Sequence, residues 1–260
     1  MRLKVLGGAL LAAAMGGSSA WADTVTLRAD AWCPYNCDPK SGMPGYMVEI
    51  ADAAMARLGH RVDYALMPWD DAMAAVKDGR STGIIGTLYG EATAEGLLLP
   101  RVPLALSGTT LAVRKGLKFK YAGLPSLAGI RLAVIEGYAY DDGPIDAYIR
   151  DNRGKPGIVV FEGEDASDKI VAKLAAGEVD AMVEDTNVLD YVLTTQGLGG
   201  LFDLIAIAEP APLTIAFTPA DPKSAGYAEA LSAEVEAMRR DGRLAAVLKK
   251  YGLRDWAPGK

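Results

Sequence analysis

Histidine and cysteine are nearly missing from this chain: one histidine, His60, and two cysteines, Cys33 and Cys37, in 260 residues. So few soft ligands argue against a zinc or copper centre, and two cysteines cannot build a disulfide-dense miniprotein. No basic block is present. Lys and Arg number 27 against 33 Asp and Glu, a net charge of −6, and a chain of that sign is a poor electrostatic match for nucleic acid. Beyond the N-terminus no window of 18 residues is both apolar and uncharged, so nothing reads as a membrane span. The glycines do not form a phosphate loop either: Gly137-Tyr138-Ala139-Tyr140 is not G-x-G-x-x-G. What remains is half hydrophobic and 23% charged, with 29 Gly and 14 Pro. That balance excludes disorder and rods, and fits a folded chain of one or two domains with many turns.

The first 22 residues read as an export leader. Arg2 and Lys4 precede an apolar stretch from Val5 to Met15, and Ala20-Trp21-Ala22 forms a small-residue cleavage site. Cleavage is expected after Ala22, and no cysteine follows it to carry a lipid. Export to an oxidising compartment, a bacterial periplasm, changes how Cys33 and Cys37 read. A structural disulfide is expected, closing the C-P-Y-N-C loop and stiffening the segment that carries Trp32 and Tyr35. Free thiols and redox chemistry stay open alternatives, although C-x3-C lacks the C-x-x-C spacing.

Period-two and period-3.6 patterns then alternate along the chain. Strands are predicted at Thr24–Ala29, Arg61–Leu66 and Thr82–Leu88, with helices at Gly45–Leu58 and Trp69–Lys77 between them. The order restarts with strands at Arg131–Ile135, Gly157–Phe161 and Val179–Val183, and helices at Ile145–Arg150, Ala166–Ala176 and Val188–Gln196. Two α/β units of similar plan follow. Extended segments at Thr110–Arg114 and Leu213–Phe217 join them, and helices at Ala225–Arg239 and Arg243–Tyr251 close the chain. Two such units imply a cleft at the carboxyl ends of the strands and closure by hinge bending.

Several segments, in order, resemble the extracellular solute-binding proteins of family 3, the polar amino-acid branch of ABC importers. They are Trp32-Cys33-Pro34-Tyr35, GYMVEIADA from Gly45, Pro68-Trp69-Asp70, Ser107-Gly108 before a strand, GEVDAMVED from Gly177 to Asp185, and GRLAAVLKKYG from Gly242 to Gly252. The resemblance implies a type II Venus flytrap: two α/β lobes joined by two hinge strands, with lobe 1 at 24–110 plus 215–260 and lobe 2 at 111–214. It implies a cleft in which Trp32 and Tyr35 lie on the aromatic loop and Trp69 lines the wall. Gly86, Thr87 and Tyr89 would hold a carboxylate. Tyr138, Ala139 and Tyr140 would form the second-lobe loop, and Asp185 would pair with an ammonium.

One departure bears on the ligand. The resemblance calls for an arginine about seven residues past Gly86, to clamp a carboxylate. Here Ala94 stands near that place, and no cation lies between Arg80 and Arg101. An acid among aromatic rings and no guanidinium suits a cationic or stackable solute. Plainer roles exist for the same residues: Asp185 as a helix N-cap, Trp69 as core, Arg101 and His60 as solvated surface. Glu184 and Asp185 cannot act as a catalytic pair, because neighbours on a strand face opposite ways. The expectation is therefore a monomeric, non-catalytic binding protein. It takes a small polar solute to an ABC permease or a membrane sensor, and needs no cofactor and no metal. The rival readings are a ligand-sensing accessory protein and a cyclohexadienyl dehydratase-like enzyme. That enzyme would need a cation for its substrate carboxylate, and the Ala94 region lacks one.

Overall fold

A computed structural model describes residues 23–257 except Asp142 and Glu164. The export leader and its cut after Ala22 lie outside the described residues. Two five-stranded sheets organise the chain. β1 (Thr24–Ala29), α1 (Tyr46–Arg57), β2 (Arg61–Leu66), α2 (Trp69–Lys77), β3 (Gly83–Leu88), α3 (Tyr89–Ala94) and β4 (Ala105–Ser107) come first. β5 (Thr109–Arg114), a 3-10 turn at 124–129, β6 (Leu132–Ile135), α4 (Pro144–Asn152), β7 (Ile158–Phe161), α5 (Ala166–Ala176), β8 (Ala181–Asp185), α6 (Thr186–Thr195) and β9 (Phe202–Ala206) follow. β10 (Ala211–Phe217), α7 (Ser224–Asp241) and α8 (Arg243–Lys250) end it.

The sheet orders are β2-β1-β3-β10-β4 and β7-β6-β8-β5-β9. Each holds three parallel strands, β1 between β2 and β3, and β6 between β7 and β8. Crossover helices enforce that arrangement. Each sheet also holds one strand antiparallel to these: β10, on the chain's return, beside β3, and β5, on its first crossing, beside β8. The segments expected to join the two units are thus strands of the sheets themselves. The chain passes between sheets at Gly108, between β4 and β5, and again across 207–210, between β9 and β10.

Burial follows the sequence pattern. Val25, Leu27 and Ala29 alternate inward along β1. Met47, Ile50, Ala51, Ala54 and Met55 form the buried stripe of α1. That helix stops where Gly59 turns to φ +77, a backbone only glycine adopts readily. Leu231, Val235, Leu244 and Leu248 return α7 and α8 to the first core. In the second lobe, Ile170, Leu174 and Leu189 pack one face of the sheet, and Leu127, Val134 and Ile145 the other. Among the described residues no helix is long and apolar enough to cross a membrane.

Candidate functional site

Three segments at the carboxyl ends of first-sheet strands build one wall of the cleft. Asp30 follows β1 directly and is buried. Next comes a tight loop in which Trp32 N donates to Asn36 O at 2.7 Å and the Asn36 amide donates to Asp30 O at 2.8 Å. Cys33 and Cys37 are disulfide-bonded across it, with Cα atoms 4.8 Å apart. The loop presents Trp32 inward. Trp69 enters at the first residue of α2, behind Pro68. Gly86 is the bulged residue of β3: the pairing with β10 runs from Thr87–Thr214 to Ile85–Ile215 and skips it. Its φ is +84, and a Cβ there would crowd the Trp32 ring and the side-chain amide oxygen of Asn36, both at 3.1 Å. Glycine here lets the indole approach the backbone closely.

The opposing wall comes from the loop after β6 and the end of β8. Trp32, Trp69, Gly86, Tyr138 and Ala139 surround one small cavity together with Asp30 and Glu91. Tyr138 donates its hydroxyl to the Asp30 carboxylate, and burial followed by the Asp30 and Glu184 charges holds its phenol well above the ordinary range. Its ring meets those of Trp32 and Trp69 edge-on, at 6.1 and 5.8 Å. Thr87 stands beside the cavity and donates to Glu91 at 2.7 Å.

Two further contacts tie the lobes together. The Trp32 indole donates to Glu184 Oε1 at 3.0 Å, and Tyr35 donates to Asp185 Oδ1 at 2.8 Å. Glu184 is 1% exposed. Burial pushes its carboxyl up to about 8, the Asp185 and Asp30 charges adding to the shift and the Asp185 amide and Trp32 indole opposing it. Asp185 is the N-cap of α6: its Oδ1 accepts from the amides of Asn187 and Val188, and its Oδ2 from the amide of Gly108 at 3.1 Å. The carboxylate read as an ammonium anchor thus grips the crossover between the sheets. Strand alternation places Glu184, not Asp185, against the Trp32 indole.

Of the other residues proposed from sequence, Tyr89 turns away and donates to Pro100 O at 2.8 Å. Tyr140 is buried in the second core, its hydroxyl accepting from Ile135 N. Tyr35 lies on the same loop as Trp32 but is fully buried. Ala94 ends α3, and Arg101 pairs with Glu236 at 2.9 Å on the outer surface. Asp30 and Glu91 were missed in the sequence, and Glu184 was weighed there only as a catalytic partner of Asp185. Asp30 carried one usable signal, as the first residue past a strand's carboxyl end.

Outward from Trp69 and Asp30, which line both spaces, the cleft widens to about 530 Å³ between Asp70 and Asp71 of the first lobe and Glu136, Glu162 and Lys169 of the second. The Asp70 carboxyl is raised by burial and by the Glu136 charge, with Arg153 opposing. Among the described residues no arginine or lysine lines the inner cavity, and no group of three or more His, Cys, Asp or Glu is placed to hold a metal ion.

Solved structures of the same fold include a substrate-binding protein of an ABC uptake transporter from Streptococcus pneumoniae with bound histidine. It is 14% identical, with a TM-score of 0.73, over 91% of this chain and 95% of that one. An ancestral arginine-binding protein bound to arginine is 20% identical, with a TM-score of 0.69, over 88% and 97%. A histidine kinase sensor domain with similarity to periplasmic binding proteins is 21% identical, with a TM-score of 0.69, over 89% and 96%. Among curated proteins no sequence matches. The family model for bacterial extracellular solute-binding proteins, family 3, matches residues 25–254, and the chain belongs to that family.

Proposed function

We propose that this protein is a periplasmic solute receptor without catalytic activity, and that its lobes hinge about Gly108 and 207–210 to close on a small cationic solute. The observation that carries this reading is the chemistry of the inner cavity: the carboxylates of Asp30 and Glu91 and two indoles line it, with Glu184 behind Trp32, and among the described residues its lining holds no arginine or lysine. A solute carrying an α-carboxylate meets no cationic side chain among the described residues of that lining, whereas a cation gains both charge and cation–π attraction. The closed form adds second-lobe contacts that an open form lacks, so a ligand bridging both walls shifts the population toward closure. Delivery to an ABC permease is supported by the family. The sensor-kinase neighbour supports a membrane sensor as the second destination.

Calorimetric titration with amines, cationic amino acids, neutral amino acids and glutamate, paired with X-ray scattering, tests this. Amines without a carboxylate should bind most tightly and compact the protein. Asp30→Asn should weaken them about ten- to a hundredfold. Preference for glutamate, or a bound solute that leaves the lobes apart, overturns the reading. Incubation with prephenate or arogenate should give no aromatic product.

A further inference from the structure

The side chain of Tyr138 stands in the cleft where a solute would stand, and its contacts describe that solute. It projects from the second-lobe loop, yet its hydroxyl donates to Asp30 of the first lobe. Its ring lies in edge contact with Trp32 and Trp69 of the first lobe and tilts against Tyr140 of its own. Among the described residues it packs against all four apolar cores of the molecule. The space left beside it is about 10 Å³, room for about one water. No amine larger than ammonia enters that space while the phenol is in place.

We propose that Tyr138 is a tethered surrogate ligand: it fills the aromatic box in the closed form, and the true solute is one that reproduces its chemistry and displaces it. That chemistry is a flat unsaturated ring ending in a hydrogen-bond donor or a cation aimed at Asp30. The proposal rests on the solute-receptor reading above and narrows it from any small cation to a ring-bearing one. Displacement makes the apparent affinity smaller than the intrinsic one, because the solute must first move the ring.

The test uses p-cresol, the detached side chain of tyrosine, with toluene as the analogue lacking the hydroxyl. Tyr138→Ala should leave a box that takes p-cresol at least tenfold more tightly than toluene. At ten times its Kd, p-cresol should raise the melting temperature of that variant by about 3–6 °C. The wild type should respond to p-cresol at least tenfold more weakly than the variant, because the ring must first be moved, and should not respond to toluene. By scattering, the wild type should be compact alone, and Tyr138→Ala should be more open until p-cresol is added. Tyr138→Phe keeps the ring and loses the bond to Asp30, so it should be intermediate in compaction, which provides an answer even where the alanine variant folds poorly. Equal response of wild type and Tyr138→Ala to p-cresol, or a wild type as open as the variant, overturns the surrogate. A solute from the titration panel that binds wild type and Tyr138→Ala equally well overturns the surrogate and leaves the receptor reading standing. Successful p-cresol rescue with no panel solute bound by either form does the reverse.

Discussion

At the scale of single residues, the buried acids of the cleft are the feature with measurable consequences. Glu184 is enclosed by the Trp32 indole, the Asp185 amide and Ser167. Its ordinary value is 4.5, and in the fold it is pushed up to about 8. Between those values the folded chain keeps a proton that the unfolded chain releases. Stability from this group is therefore full below about 4.5 and is lost as pH rises through about 8. Glu184→Gln has the shape of the protonated acid at every pH, and its amide oxygen can still accept from the indole. Thermal unfolding from pH 5 to pH 9 should show the wild type losing ground steadily to the variant. Parallel curves would mean that Glu184 ionises normally. A cation seated beside this carboxyl favours its charged form, so binding near pH 7 should release a proton. Titrations in two buffers of different ionisation enthalpy would read that release as a difference in apparent heat.

The elements show which parts of the fold a sequence can announce. Helices such as α1 and α5 carry a buried stripe and a positive-φ glycine at or just past the end, Gly59 and Gly177, so their period and their stop are both visible. The short α3, the three-residue β4 and the edge strand β9 were not anticipated, because each is held by its neighbours and not by a pattern of its own. β9, for example, leaves Leu204 at 42% exposure and reads as loop. The same limit applied to the site. Trp32, Trp69, Gly86 and Tyr138 were legible as aromatics and a glycine at loop positions, but the partners of Asp185 lie 77 and 150 residues away, at Gly108 and Tyr35. Only tertiary structure reveals that this acid caps α6 and holds the crossover. Removing it therefore tests architecture. Asp185→Ala should cost about 3 kcal/mol, by leaving a cap, a buried phenol and a crossover amide unpaired, and should lower the melting temperature by about 6–12 °C. Asp185→Asn keeps an acceptor and should lose less. A melting temperature unchanged in both variants would show that α6 and Gly108 do not depend on the carboxylate.

For the whole molecule, one small residue sits at the contact between the two walls. Gly137 sits at φ +77 in the second lobe, and a Cβ placed there would overlap the Asp70 carboxylate of the first. A side chain there requires the exposed Asp70 carboxylate to turn aside and the Trp69 ring, at 3.2 Å, to give way. Gly137→Ala carries two separate penalties: the backbone strain of a positive φ, confined to its own loop, and a clash that acts between lobes. The clash should hold the cleft ajar, raise the radius of gyration, and move Trp32 and Trp69 emission to longer wavelength as water enters. Adding Asp70→Ala removes the obstructing carboxylate and leaves the strain. Gly137→Ala/Asp70→Ala should therefore return to the compact dimensions and the shorter-wavelength emission, with only the local loss of stability remaining. If the double variant stays open, loop strain and not contact between the lobes sets the opening, and the geometry that brings Tyr138 to Asp30 depends on the conformation of the β6–α4 loop alone.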